Sequence, residues 1–328
     1  MDIEVLRPDD DLVEELSSFR AAVVASDDPW NEPRTVRQLR CAMTHGWDGE
    51  PGRFWVGLDG GEPVALASIW TSHHDNLDHA WFGVEVHPEH RRRGHGSAML
   101  AHLEDVARAE ARPKVGIGGW ESERTDGFAT RHGYRRASQG IQRRQHLDDL
   151  PSGWAEQVAE AAATKAADYE VLAFTGAVPD DLMEPMVALW GDINDAPTDD
   201  LDIEDEAFSA ERIRGYETAQ EAAGMRLHHV VARHRGTGEL GGHTIVAVEE
   251  ERPHRAHQHD TTVARAHRGH RLGLVLKGTM MQRLLEVEPQ VRTVDTWNAE
   301  SNSFMIAVNE QLGYRVMGRS IDYQRTLD

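Results

Sequence analysis

The stretch Val86-His-Pro-Glu-His-Arg-Arg-Arg-Gly-His-Gly96 decides the fold, because a second stretch repeats its pattern farther along the chain. That second stretch reads Val263-Ala-Arg-Ala-His-Arg-Gly-His-Arg-Leu-Gly273. Nearly the same spacing separates Gly133-Tyr134-Arg135 from Gly313-Tyr314-Arg315. Two anchors with almost equal offsets indicate a duplicated domain, since shorter periods are typical of stacked repeats.

The residues around both stretches predict alternating strands and helices. In the first copy, Trp81 to Val86 is predicted as a strand and Ser97 to Ala111 as an amphipathic helix. The second copy repeats this with a strand at His259 to Val263 and a helix at Gly273 to Leu285. We therefore predict two α/β domains, each an α+β mixed sheet flanked by helices. Their predicted ranges are residues 1–150 and 169–328, with an Ala-rich helical linker at 151–168.

Composition limits the class of protein. The 328 residues have 39% hydrophobic content, which is enough for two buried cores. The net charge of −21 disfavours nucleic acid and anionic membranes, and it would attract a cationic amine, although such surfaces also serve solubility alone. One cysteine, no basic leader and no long apolar run favour a cytoplasmic location. A monomer and a homodimer both remain open.

The loop between the predicted strand and helix has the features of an anion cradle. Glycines at Gly94 and Gly96 permit tight turns and close approach of a ligand to the backbone. The helix that follows presents unpaired N–H groups and a partial positive charge. An ordinary strand-to-helix turn with solvated arginines is the alternative. The flanking elements and the repeat favour a cradle for pyrophosphate.

The pattern Val-x-Pro-x-x-Arg-x-x-Gly-x-Gly resembles motif A of the GNAT superfamily of N-acetyltransferases. The resemblance implies a sheet with two splayed central strands, acetyl-CoA as co-substrate, and pantetheine lying in the splay. In the first copy it assigns coenzyme contacts to Val84, Val86, Arg91, Arg92, Arg93, Gly94, His95, Gly96 and Ser97. In the second copy it assigns them to Val263, Arg268, Gly269, His270, Arg271, Leu272, Gly273, Asn298 and Asn302.

Both copies depart from the family pattern. Arg271 stands where the family usually has glycine, so its side chain could clamp the phosphate or block it. Asn309 replaces the tyrosine that often protonates the leaving thiolate, and Ala129 occupies the matching place in the first copy. Neither copy therefore carries the usual acid.

The candidate catalytic groups lie in the second copy. Strand alternation predicts His257 and His259 on one face, with Asp260 on the other unless a bulge intervenes. Their place before the cradle resembles the paired histidines of arylalkylamine N-acetyltransferase, and histidine suits proton transfer near neutrality. A solvated turn is an equal alternative. The irregular spacing and the lack of cysteine argue against a metal here. The first copy has Ala80 and Phe82 at the matching positions.

These observations lead to a specific hypothesis for the function. The resemblance implies an acetyl-CoA-dependent N-acetyltransferase that acts on a small-molecule amine by direct attack, with the second copy as the catalytic one. A mycothiol-synthase-like enzyme that acetylates a cysteinyl amine is one alternative. A non-catalytic acyl-CoA sensor is another.

Overall fold

A computed structural model describes the whole chain, Met1–Asp328, and the chain divides into two compact units. Unit 1 contains Met1–Gln139, Asp199–Glu206 and Gly318–Asp328, and unit 2 contains Gly140–Thr198 and Ala207–Met317. These ranges differ from the expected division at 1–150, 151–168 and 169–328, because two segments of the second half belong to unit 1. No helix combines the length and the apolar character needed to cross a membrane.

The elements alternate along the chain in the predicted α/β manner. The first half contains β1 (Asp2–Leu6), α1 (Leu12–Asp27), α2 (Val36–Thr44), β2 (Arg53–Asp59), β3 (Glu62–Trp70), β4 (His79–Val86), α3 (His95–Ala109), β5 (Lys114–Trp120), α4 (Glu123–Arg131) and β6 (Arg135–His146). The remainder contains α5 (Trp154–Thr164), β7 (Tyr169–Thr175), α6 (Asp180–Gly191), α7 (Ala210–Ala222), β8 (Met225–His234), β9 (Leu240–Glu249), β10 (Arg255–Val263), α8 (Leu272–Val287), β11 (Thr293–Ala299), α9 (Ser303–Gln311) and β12 (Arg315–Thr326).

The two units have the same sheet topology. Unit 1 has the strand order β1-β2-β3-β4-β5-β12, and unit 2 has the order β7-β8-β9-β10-β11-β6. Every neighbouring pair is antiparallel except β4 with β5 and β10 with β11, which are parallel. Each unit is therefore a mixed α/β sheet, as the sequence predicted.

The last strand of each sheet comes from the other repeat. In unit 1, β12 pairs with β5, with Ile321 opposite Gly119. In unit 2, β6 pairs with β11, with Ile141 opposite Asn298. The division therefore lies within β6 and β12, and neither half of the sequence forms a complete unit from its own residues.

Helix α5, which the sequence places in a linker, is an element of the core of unit 2. Its residues Val158 and Ala161 are buried in the same apolar cluster as α8. At Gly278 of α8, an added Cβ would lie 2.3 Å from a methyl of Val158. The close approach of these two helices requires the glycine.

An acidic segment from the second half of the chain, Asp199–Glu206, is part of unit 1. The amide of Asp202 donates to Gln324 at 2.8 Å, and its carboxylate lies 3.2 Å from the ammonium of Lys114. The amide of Glu204 donates to the side chain of Asn76 at 2.8 Å. These carboxylates therefore have structural partners within unit 1.

Candidate functional site

The two cradle loops have the same backbone geometry with glycine and arginine exchanged. In unit 1, left-handed φ values occur at Arg92 (64°) and Gly94 (92°). In unit 2, they occur at Gly269 (89°) and Arg271 (56°), which are the corresponding positions. A left-handed arginine costs roughly 1–2 kcal/mol. Arg271 therefore does not change the course of the loop, although it adds a side chain beside the cradle.

The cradle of each unit presents unpaired backbone N–H groups. Helix α3 begins after Gly94 and α8 after Arg271, and neither N-terminus has a side-chain cap. The first helical hydrogen bond in unit 1 is donated by Ala98 to Gly94, so the amides of Gly96 and Ser97 have no protein acceptor. A Cβ placed on Gly94 would meet no atom within 4 Å, so the space beside the loop is open. Such an N-terminus favours a bound anion.

The first arginine of each motif binds the protein itself. The guanidinium of Arg91 donates to the carbonyl of Val86 at 3.0 Å and to both carboxylate oxygens of Asp27 at 2.9 Å. Arg268 likewise donates to the carbonyl of Val263 and to Asp195. Arg91 thus joins its cradle to the end of α1, and Arg268 joins its cradle to the turn after α6. In unit 1, the backbone amides and the exposed Arg92 and Arg93 remain available to bind a phosphate.

The parallel central strands separate before they end. Strands β4 and β5 pair from His79 opposite Lys114 to Phe82 opposite Ile117, and no further. Strands β10 and β11 pair only from Arg255 to His257. Beyond these points the facing edges have no partner strand, which includes the edge at Val84, while the carbonyl of Val86 accepts from Arg91. A linear amide ligand could add to such edges by strand-like hydrogen bonds.

His257 forms an ion-pair-like dyad at the point where β10 and β11 separate. Its Nε2 lies 2.6 Å from a carboxylate oxygen of Glu249. Burial alone would raise the pKa of Glu249, but the bond to His257 and the charges of Arg252 and Arg255 lower that pKa to about 2. Glu249 is therefore ionised and accepts from the Nε2 of His257, which leaves Nδ1 as the ring nitrogen that does not contact Glu249. The imidazole also stacks on Trp297, which is 45% exposed.

His259 has a different environment. It lies at a β-bulge, since the register of β10 on β9 shifts between Gln258 and Asp260. Its Nδ1 is 2.7 Å from the hydroxyl of Tyr216 on α7. Burial lowers the pKa of His259 to about 3, with a further contribution from the nearby His257 and His229. His259 is therefore neutral at physiological pH and shares a hydrogen bond with the hydroxyl of Tyr216.

The bulge also determines where Asp260 points. Asp260 lies opposite Ile245, and its carboxylate is 2.9 Å from the Nε2 of His243 on β9. His243 is fully buried and contacts the ring of Trp190 on α6. Asp260 therefore lies on the same side of the sheet as His259, toward α6 and α7. Regular strand alternation would have placed the two residues on opposite faces, and the bulge removes that difference.

Further coenzyme candidates surround the open strands of unit 2. Asn298, at the end of β11, accepts a hydrogen bond from Asn309 at 2.7 Å. Asn302 caps α9 by accepting from the amide of Met305. His270 contacts the carbonyl of Lys165, and Leu272 and Gly273 begin α8. Asn302 is thus a helix cap, and Asn298 is held in place by Asn309.

The same region of unit 1 lacks the two strand histidines and is more covered. Ala80 and Phe82 are buried and replace the two histidines. Trp120 occupies the position of Trp297, and the ring of Trp30 meets it edge-on at 5.2 Å. Ser97 is hydrogen-bonded to His132 at 2.9 Å. Unit 1 therefore has an open cradle but no histidine at the two strand positions that carry His257 and His259 in unit 2.

The sequence did not identify Glu249, Tyr216, His243, Asp27 or Asp195. Glu249 and His243 lie on the neighbouring strand β9, 8 and 17 residues from their partners. Tyr216, Asp27 and Asp195 lie 43, 64 and 73 residues from theirs. No local pattern distinguishes them from other polar residues, so only the tertiary structure shows these partnerships.

Comparison with known proteins gives a consistent result. Residues 16–134 match the model of the Acetyltransferase (GNAT) family. A tandem GNAT protein from the clavulanic acid biosynthesis pathway, solved without acetyl-CoA, is 26% identical with a TM-score of 0.80, covering 99% of this chain and 98% of that one. A GCN5-related N-acetyltransferase from Sphaerobacter thermophilus is 17% identical with a TM-score of 0.70, covering 99% and 95%. No curated protein matches by sequence.

Proposed function

We propose that this chain, whose residues 16–134 match the GNAT family and whose fold is similar to that of a tandem GNAT protein, is an acetyl-CoA-dependent N-acetyltransferase. The acceptor in this proposal is the primary amine of a small molecule. A structural relative from a small-molecule biosynthesis pathway supports an acceptor of this kind. The net charge of −21 favours an acceptor that arrives as a cation.

The residues of both cradles fit the coenzyme. Unpaired amides at the N-terminus of α3 or α8 would hold the pyrophosphate, and the exposed Arg92, Arg93 and Arg271 would neutralise its charge. The unpaired edges of β4 or β10 would bind the pantetheine amides. Acetyl-CoA supplies the activated acyl group, and the chain supplies its position and the removal of a proton.

The chemistry is proposed for unit 2, with His257 as general base. The amine nitrogen attacks the thioester carbonyl carbon, the carbon–sulfur bond breaks, and the thiolate leaves. The proton lost by the amine moves to the Nδ1 of His257, while Glu249 stabilises the positive charge that develops on the imidazole. Holding both reactants in the splay would supply much of the rate.

One observation carries this assignment. The His257–Glu249 dyad lies at the point where β10 and β11 separate in unit 2, where unit 1 has only Ala80 and Phe82. His259 and Asp260 have internal partners in Tyr216 and His243. We therefore give these two a supporting role in shaping the site rather than in accepting the proton.

The proposal is tested by the release of free thiol from acetyl-CoA with a panel of primary amines. We expect turnover with at least one amine and a loss of about 10²- to 10⁴-fold in kcat for His257→Ala, the usual contribution of a general base. His254→Ala, an exposed neighbour, should keep wild-type activity. A His257→Ala variant with full activity would place the base elsewhere.

A non-catalytic acyl-CoA sensor is the second candidate. It is favoured by the absence of a tyrosine acid at Asn309 and Ala129, and by the missing strand histidines in unit 1. Thermal stabilisation by acetyl-CoA without turnover on any amine, including cysteinyl amines, would support the sensor. No thermal shift at all would exclude coenzyme binding and both candidates with it.

A further inference from the structure

Three side chains of unit 1 that could bind a metal converge beside the cradle loop. Asp59 lies at the end of β2, His90 in the turn after β4, and His95 at the start of α3. One potential ligand atom from each lies within 4.8 Å of the others. None of the three takes part in the chemistry proposed above.

His95 has an unexplained polar atom. The residue is 9% exposed, and its Nε2 is buried without a hydrogen-bond partner. Leaving a buried polar group unpaired costs about 1–3 kcal/mol, and most such groups in folded proteins have a partner. The unpaired Nε2 of His95 therefore indicates a ligand at this position.

The second unit shows that the fold does not need this imidazole. The residue that corresponds to His95 is Leu272, which is 1% exposed and packs in the apolar core of unit 2. The position corresponding to His90 remains a histidine, His267, and it bonds to the hydroxyl of Tyr169 at 2.8 Å. At this position, unit 1 thus has an imidazole where the loop of unit 2 has an apolar side chain.

We propose that Asp59, His90 and His95 bind a late first-row divalent cation, of which Zn²⁺ is the best match. Two imidazole nitrogens and one carboxylate oxygen are a common ligand set for this ion, and three protein ligands leave a position for water. The guanidinium of Arg93 contacts the Nδ1 of His90 at 3.4 Å, which leaves Nε2 to bind the metal.

The three groups need only a small adjustment to close on an ion. With metal bonds of about 2.1 Å, tetrahedral ligand atoms lie roughly 3.4 Å apart. The exposed Asp59 adjoins Gly60 and Gly61, so its carboxylate can move toward the two histidines. The bound cation would link the tip of the β2–β3 hairpin to the start of α3, and so hold the cradle loop of unit 1 in place.

The test measures metal content rather than activity. The full chain is stripped with a chelator, dialysed against Zn²⁺, and analysed by elemental mass spectrometry and by calorimetric titration. His95→Leu, which installs the residue found in unit 2, should bind one equivalent less than the wild type. Asp59→Asn should weaken binding at this site by tenfold or more. His73→Ala, an exposed histidine outside the cluster, should bind as the wild type does.

Each outcome decides the proposal. Circular dichroism melting establishes that His95→Leu is folded, and His90→Ala replaces it if it is not. With Co²⁺ in place of zinc, the wild type should show the visible absorption of a tetrahedral site. His95→Leu and His90→Ala should lack this absorption. Equal metal content in the wild type and His95→Leu, or no bound metal in either, would overturn the proposal.

Discussion

Replacing Lys277 by methionine should stabilise unit 2 at neutral pH. Lys277 lies on α8, is 2% exposed, and its ammonium has no hydrogen-bond partner. Its Nζ sits 4.6 Å from the centre of the ring of Tyr314, a modest cation–π contact. The corresponding residue of unit 1 is the buried Leu100, so this position accepts an apolar side chain of similar length.

The magnitude follows from the cost of burying the charge. Burial lowers the pKa of Lys277 to about 7 from its ordinary value of 10.5. Between these two pH values the unfolded chain holds a proton that the folded chain has lost, so wild-type stability rises with pH. Each pH unit is worth about 1.4 kcal/mol. The wild type therefore forfeits about 4 kcal/mol at pH 7, and this penalty disappears near pH 10.5.

Urea denaturation of the wild type and Lys277→Met at several pH values from 7 to 10 is the assay. The variant should be more stable at pH 7, and its advantage should shrink by about 1.4 kcal/mol for each pH unit. Lys165→Met, an exposed lysine, should show no such trend. A pH-independent difference, or a destabilised Lys277→Met at pH 7, would refute the interpretation of Lys277 as an uncompensated buried amine.

Three further substitutions test separate features. Arg91→Ala should lower stability by about 1–3 kcal/mol in thermal melts, because it removes a half-buried, two-bonded partner of Asp27. Glu249→Gln should reduce kcat/KM by about 10- to 100-fold, because a charge-assisted bond to His257 is lost. Its stability deficit should shrink as the pH falls from about 4.5 toward 2, where the wild-type carboxylate gains its proton. Gly278→Ala should destabilise by about 1–3 kcal/mol, because the new methyl overlaps α5.

Each of these substitutions has a matched control in the chain. Arg268→Ala removes the more exposed counterpart of Arg91 and should have a smaller effect on stability. Glu250→Gln changes an exposed neighbour of Glu249 and should leave kinetics unchanged. Gly127→Ala lies in α4 with no atom within 4 Å of the new methyl, so it should stabilise by up to about 1 kcal/mol. If a substitution and its control changed stability or kinetics to the same extent, the reasoning for that substitution would be wrong.

Local sequence was sufficient for the elements with strong periodicity. The strand predicted at Trp81 to Val86 lies in β4, and the helix predicted at Ser97 to Ala111 corresponds to α3. Helices α2 and α7 were not predicted, nor were strands β6 and β12. Strand β6 is rich in arginine and glutamine and lacks the apolar alternation that identifies a strand on its own.

Some features of the candidate site could be predicted from the sequence, and others could not. The glycine and arginine spacing alone indicated two cradles, and both loops have the left-handed residues that such a cradle uses. The dyad of His257 with Glu249 could not be predicted, because the two residues meet only when β9 pairs with β10. The bulge that turns Asp260 toward His243 is likewise a property of that pairing.

The sequence by itself determined that the chain contains two related α/β units, because a repeated glycine motif consists of consecutive residues and can be identified without knowing any tertiary contact. Only the tertiary structure decided that each unit is completed by the last strand of the other repeat. Strands β6 and β12 have the same length and an isoleucine at the matching position, Ile141 and Ile321, so neither sequence names its partner. Strand pairing is made by backbone hydrogen bonds that any residue but proline can form, and the choice between partners rests on contacts distant in sequence.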